Sequence, residues 1–195
     1  MDGTGRDTPL GSVSCSVTTP SRAAGCGMPA REVAALIKIQ SRTSWPGMRL
    51  SAVVLSHVGE HALLWTALGL AGALRDPEQR GPWLRATATV VGAHGVSVVL
   101  KRVARRHRPT DPRIRVYVGT PSDWSFPSSH ATSTTAAAVA YSRLLGRRSP
   151  LFCIPVMMAS RVILGVHYPS DVMAGSVIGA VMGKWVARGP AVSRS

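Results

Sequence analysis

Three short stretches of this 195-residue chain hold side chains suited to gripping and cleaving a tetrahedral anion, and each also has an ordinary structural reading. The first is Lys101-Arg-Val-Ala-Arg-Arg-His-Arg108-Pro109. Lys101 and Arg108 stand seven residues apart, about two helical turns along one face, and Pro109 is expected to stop the helix just after them. A basic run behind an apolar helix is otherwise a headgroup-binding flank, which leaves Arg102, Arg105 and Arg106 as candidates for phospholipid contact. The second is Phe126-Pro-Ser-Ser-His130, leading into an Ala/Thr/Ser stretch. Serines opening a helix are ordinary caps. The free N–H groups at a helix start also bind phosphate, Ser128 and Ser129 could add hydroxyl donors, and His130 could give a proton to a departing oxygen. The third is Ser160-Arg161-Val-Ile-Leu-Gly-Val-His167-Tyr-Pro-Ser-Asp171. An arginine within an apolar helix is costly without a partner or ligand. His167 and Asp171 lie four apart across a helix break at Pro169; a carboxylate on one ring nitrogen leaves the other free to attack, although a satisfied structural contact is as good a reading of the pair alone.

Joint placement favours the chemical reading, and it depends on the elements that carry these residues. Apolar stretches recur at Val53 to Leu74, Trp83 to Leu100, Ala131 to Leu145, Leu151 to Val166 and Val172 to Ala187. Only the first two approach the roughly 20 residues that cross a hydrocarbon core unaided. If Trp83 to Leu100 crosses, Lys101 emerges on one side, Ser128 to His130 stay there, and the returning stretch delivers His167 to the same side. Gly175, Gly179 and Gly183 recur every fourth residue, a small-residue stripe suited to close helix packing in a membrane.

Composition points the same way. A formal charge of +14 suggests a nucleic-acid binder, but 45% of the chain is hydrophobic and only 5% aromatic. Long apolar runs with basic flanks fit an integral membrane protein better, with no nucleic-acid partner expected. Cys15, Cys26 and Cys153 have neither zinc-site spacing nor the even count of a disulfide framework. His57 and His61 have i, i+4 spacing, but no further ligands are evident. Residues 1–29, rich in Gly, Ser, Thr and Pro, read as a disordered tail; Ala30 to Gln40 has helical spacing and suits a membrane surface, within a possible interfacial segment 30–49; residues 50–190 form the body.

Taken together, Lys101 with Arg108-Pro109, Pro127-Ser-Ser-His130, and Ser160-Arg161 with His167 and Asp171 resemble the three-part signature of the type 2 phosphatidic acid phosphatases. The resemblance covers residues 50 to 187. It implies an all-α membrane bundle of about five to six helices and phosphomonoester or diphosphate hydrolysis without a metal or other cofactor. Carried onto matching positions, His167 is the nucleophile that forms a phosphohistidine, Asp171 orients it, and His130 is the acid. Lys101, Arg108, Arg161, Ser128 and the Ser129 amide hold the phosphoryl oxygens. The family usually has Gly where Ser129 stands, a departure that would be strained if the position required positive φ. Within the family, Ser56 to His61, Val118 to Ser122 and LGVHYPSDV are similar to members acting on decaprenyl-phosphoryl phosphoribose in arabinan cell-wall precursor synthesis.

Alternative expectations are a polyprenyl diphosphate or phosphatidic-acid-type lipid phosphatase, a related vanadate-dependent haloperoxidase, and a catalytically inactive lipid-binding membrane protein. The expected location is the cell (inner or plasma) membrane. Residues 101 to 115 hold seven Lys/Arg, against nine on the opposite side (Arg75, Arg80, Arg85, Arg143, Arg147, Arg148, Lys184, Arg188 and Arg194), which puts the site outside.

Overall fold

Apolar stretches broken by polar or Pro/Gly punctuation become seven α-helices in the computed structural model, which describes residues 30–43, 45–58 and 62–186. They are α1 (Ala30–Arg42), α2 (Pro46–Val58), α3 (Leu63–Arg75), α4 (Arg80–Ala104), α5 (Ser129–Leu144), α6 (Cys153–Ile163) and α7 (Pro169–Val186), with a 3-10 turn at Ser149–Phe152 before α6. The described residues contain no strand, only an isolated antiparallel bridge between His107 and Trp124. The all-α bundle is as expected. Residues 1–29 and the His57/His61 side-chain pair lie outside the described residues.

The helix count exceeds the expected five to six partly because Val53 to Leu74 is not one span. It is divided between α2 and α3, and Ala62, just before α3, has φ 59°. The physical reason is visible in the chain: Glu60 and two histidines sit mid-stretch, where a continuous span would carry a carboxylate to the bilayer centre. Among the described residues one helix, α4 with 25 residues, is long and apolar enough to cross a membrane by itself.

The apolar core is interleaved with buried hydroxyls, while large apolar side chains also stand on the outside. α5 buries Thr132, Ser133, Thr134 and Thr135, whereas Leu74, Val99, Val103, Val181 and Trp185 of α3, α4 and α7 are exposed. Three of these hydroxyls are satisfied within the bundle: Thr132 and Ser133 donate to the carbonyls of Ser128 and Ser129, and Thr134 accepts from Trp65 Nε1 at 3.0 Å. Such an arrangement suits a lipid solvent, which offers buried polar groups no water and exposed apolar ones no penalty.

The glycine stripe acts as its spacing suggested. A Cβ at Gly175, Gly179 or Gly183 would come within 2.6, 2.3 and 2.8 Å of the carbonyl oxygens of Ser128, Thr132 and Ala136. α7 therefore lies backbone against backbone on α5. Contrary to a free surface role, α1 is drawn into the protein: Leu36 is fully buried with Ile114, Val162, Tyr168 and Val172.

Candidate active site

One end of the bundle gathers the ends of α4 and α6 and the starts of α5 and α7. The chain leaves α4 earlier than the spacing of Lys101 and Arg108 predicted. The helix ends at Ala104, with Arg105 in the left-handed region at φ 46°. The cause is pairing across the loop: Ser125 N–H donates to Arg106 O at 2.7 Å and Arg108 N–H to Asp123 O at 3.2 Å, so residues 106–108 cannot remain helical. Lys101 and Arg108 converge nevertheless, one from a helix and the other from an extended segment.

α5 begins at Ser129, capped by Ser128, whose Oγ accepts from Ala131 N at 3.4 Å. Ser128 N–H donates to Asp171 O at 3.1 Å, tying the starts of α5 and α7 together. The two N-termini thus face one region, where dipoles and unpaired N–H groups favour an anion. α6 ends in a Schellman turn: Gly165, at φ 71°, donates to Val162 O, and Val166 N–H donates to Arg161 O. That turn swings His167 back toward α5 before Pro169 starts α7.

A cavity of about 890 Å³ opens at this end, lined by Lys101, Arg108, Ser129, His130, Arg161 and His167 among others. Of the expected site residues, Ser128 and Asp171 lie behind its wall, each fully buried. Ser128 therefore serves as the cap. Lys101 Nζ donates to the Trp124 carbonyl at 2.9 Å, and Arg108 to the carbonyls of Ser122 and Val166 at 2.8 and 2.7 Å. Burial lowers the Arg108 pKa to about 10, which leaves it cationic at neutral pH. His130 Nε2 lies 3.2 Å from the Ser56 carbonyl, a partner that sequence spacing could not reveal. Arg161 is 2% exposed, deep in the bundle.

The two nitrogens of His167 have different surroundings. Nε2 is 3.3 Å from Arg108 Nη1, a donor only, so this nitrogen carries the lone pair. Nδ1, which then carries the proton, faces Asp171 Oδ2 at 3.7 Å, just beyond hydrogen-bond range. Burial, aided by Arg108 and Lys101 and opposed by Asp171, pushes the His167 pKa down to about 3. The imidazole is consequently neutral across the physiological range.

Serine in place of glycine at position 129 is accommodated without strain. Ser129 is the first helical residue of α5, the non-glycine positive-φ residues among the described residues being Ala62 and Arg105, and its hydroxyl lies 2.8 Å from that of Ser97 on α4. Arg106 differs from its expected role in lipid contact. It turns inward, donating to Asp171 Oδ1 at 2.8 Å and to Ser170 Oγ at 2.6 Å, and pairs with Glu32 of α1. Its guanidinium also lies over the Tyr168 ring, 4.4 Å from the centroid.

Residues 82–194 match the PAP2 superfamily. The chain is 49% identical over 156 residues, 80% of its own length and 88% of the relative's, to decaprenylphosphoryl-5-phosphoribose phosphatase of Mycobacterium tuberculosis. It is 50% identical over 148 residues, 75% of its length and 82% of the relative's, to the protein of that name from Mycolicibacterium smegmatis. Its fold is similar to the first transmembrane PAP2 type phosphatidylglycerolphosphate phosphatase from Bacillus subtilis, with a TM-score of 0.66 at 22% identity over 82% of this chain and 85% of that one. Aquifex aeolicus LpxE gives 0.62 at 18% identity, over 78% and 93%.

Proposed function

The chain belongs to the PAP2 superfamily of phosphatases, and from that membership we propose that it removes the phosphate borne by the ribose of decaprenylphosphoryl-5-phosphoribose, releasing inorganic phosphate. The observation that carries this reading is the near-half identity to phosphatases of that substrate over most of both chains, with His130, His167, Lys101, Arg108 and Arg161 all on one cavity.

His167 Nε2 attacks phosphorus, forming an N–P bond as the P–O bond to ribose breaks, and His130 protonates the departing oxygen. Water then attacks the phosphohistidine, gives its proton to His130, and restores His167 as phosphate leaves. Negative charge spread over three oxygens in the transition state is met by Lys101, Arg108, Arg161 and the amides at the start of α5. Asp171 stabilises the positive charge that His167 acquires on attack, so the 3.7 Å pair tightens when it is needed.

Membranes containing the protein, given a polyprenyl-phosphoryl phosphoribose, a polyprenyl diphosphate and a phosphatidic acid, are expected to release phosphate at least about tenfold faster from the first, with His167→Ala membranes as control. Faster release from either other lipid moves the assignment to that lipid class. Release from none leaves a lipid-binding protein without catalysis.

The membrane in this reading is the plasma membrane, with the cavity facing outward. Nine Lys/Arg on the opposite side against seven on the catalytic loop support that orientation. A reporter fused after residue 195 is expected to read as cytoplasmic; an external signal reverses the orientation.

A further inference from the structure

We propose that α1 is a strap that positions the catalytic dyad, with Glu32 and Arg106 acting through Asp171 on His167; the proposal rests on the functional reading above. Glu32, Leu36 and Gln40 recur every fourth residue, one face of α1, and each anchors a different part of the active-site end. Glu32 Oε1 accepts from Ser170 N–H at 3.0 Å, in the first turn of α7, while its other oxygen pairs with Arg106. Leu36 fills the apolar gap between the catalytic loop and α6 and α7. Gln40 accepts from Arg115 N–H at 3.0 Å and donates to the carbonyls of Arg115 and Ile163 at 2.7 and 3.0 Å. The strap therefore ties the loop after α4 to the turn that carries His167. It lies before residues 82–194, the part of the chain that matches the family.

Arg106 is the link between strap and dyad. Asp171 uses Oδ1 for Arg106 and Oδ2 for Tyr168 N–H at 2.8 Å, with His167 Nδ1 beyond. The carboxylate is held from two sides in the orientation that presents Oδ2 to the imidazole. Arg106 also offsets part of its charge, and so tempers how strongly Asp171 favours the imidazolium. Burial raises the Glu32 carboxyl, but hydrogen bonds from Ser170 and Arg106 more than offset this and keep it ionised. The charged and titratable groups facing the dyad are Lys101 of α4, Arg106 and Arg108 of the following loop, Glu32 of α1, His130 of α5, Arg161 of α6, and Tyr168.

Glu32 and Arg106 are positioning residues, and their variants separate that role from simple folding. In purified full-length enzyme acting on the polyprenyl-phosphoryl phosphoribose, Glu32→Ala is expected to lower kcat about tenfold with KM within about twofold, because misplacement without lost contacts acts on the transition state. Glu32→Gln keeps one acceptor oxygen for Ser170 or Arg106 and turns an NH₂ on the other, so its kcat is expected to fall between those of wild type and Glu32→Ala, about threefold below wild type. Arg106→Gln leaves Asp171 uncompensated, favours protonated His167, and is expected to move the acid limb of the kcat–pH profile upward by about half a unit. If Arg106→Gln does not fold, Arg106→Lys, which cannot bridge both carboxylates, takes its place with the same direction of shift. Wild-type kcat in Glu32→Ala, a change in KM alone, or an unmoved acid limb overturns the strap. Loss of the functional reading looks different: wild-type enzyme itself then fails to act on this substrate.

Discussion

Replacing His167 by alanine is expected to lower kcat at least about 10⁴-fold, leaving no phosphate release measurable above the membrane background. The size of the effect follows from geometry: only one imidazole at this end has its basic nitrogen beside Arg108, 3.3 Å away, on the cavity. His130 cannot substitute, because its Nε2 is engaged by the Ser56 carbonyl. Alanine removes a buried ring and is expected to cost about 1–3 kcal/mol of stability, which a thermal melt in detergent separates from loss of chemistry. The companion measurement is covalent. Wild-type enzyme quenched during turnover should carry base-stable, acid-labile phosphate, and the variant none. Undiminished release by a folded His167→Ala protein would falsify the nucleophile assignment.

Asp171→Asn is the second large effect, with kcat expected to fall about 10²- to 10³-fold and KM to change little. Three donors converge on this carboxylate: Arg106 on Oδ1, Tyr168 N–H on Oδ2, and His167 Nδ1 beyond it. Asparagine has one acceptor oxygen and one NH₂, so whichever way it turns, a donor meets a donor. If the amide oxygen faces Tyr168, the NH₂ confronts the Arg106 guanidinium; if it faces Arg106, the imidazole loses its orienting acceptor and the charge that stabilises it during attack. The stability cost is about 2 kcal/mol, well short of unfolding. Steady-state kinetics beside a melt measures both, and wild-type kcat in this variant would leave the dyad without a catalytic role.

Much of the candidate site is legible in the sequence, and the contacts that hold it are not. Lys101, Ser128 to His130, Arg161, His167 and Asp171 are legible because each belongs to a short motif, and because alternate crossings deliver those motifs to one side. The stripe of Gly175, Gly179 and Gly183 is legible because helical period alone puts the three on one face. Arg106 is different: in a run of five basic residues between Lys101 and Arg108, counting both ends, spacing cannot distinguish the guanidinium that faces inward from those facing water or lipid. Its partner Glu32 is 74 residues away, a tertiary contact that leaves no local pattern. The end of α4 differs from the sequence expectation for a related reason. Pro109 is a strong local stop, but the helix yields five residues earlier to the bridge between His107 and Trp124, a pairing across the loop. The division of Val53 to Leu74 was foreshadowed by Glu60, whose cost inside a span outweighs the apolar residues on either side.

The contact between α5 and α7 fixes which part of the cavity end can give way. Helices that touch through carbonyl oxygens, glycine Cα atoms and short side chains such as Ala131 and Thr135 have little to repack, so sliding or separating them costs most of the interface. They form the anvil of the site. Adjustment at the cavity therefore falls to the rest of its lining, which includes Val53 of α2, Val98 of α4 and the Tyr117–Val118 segment.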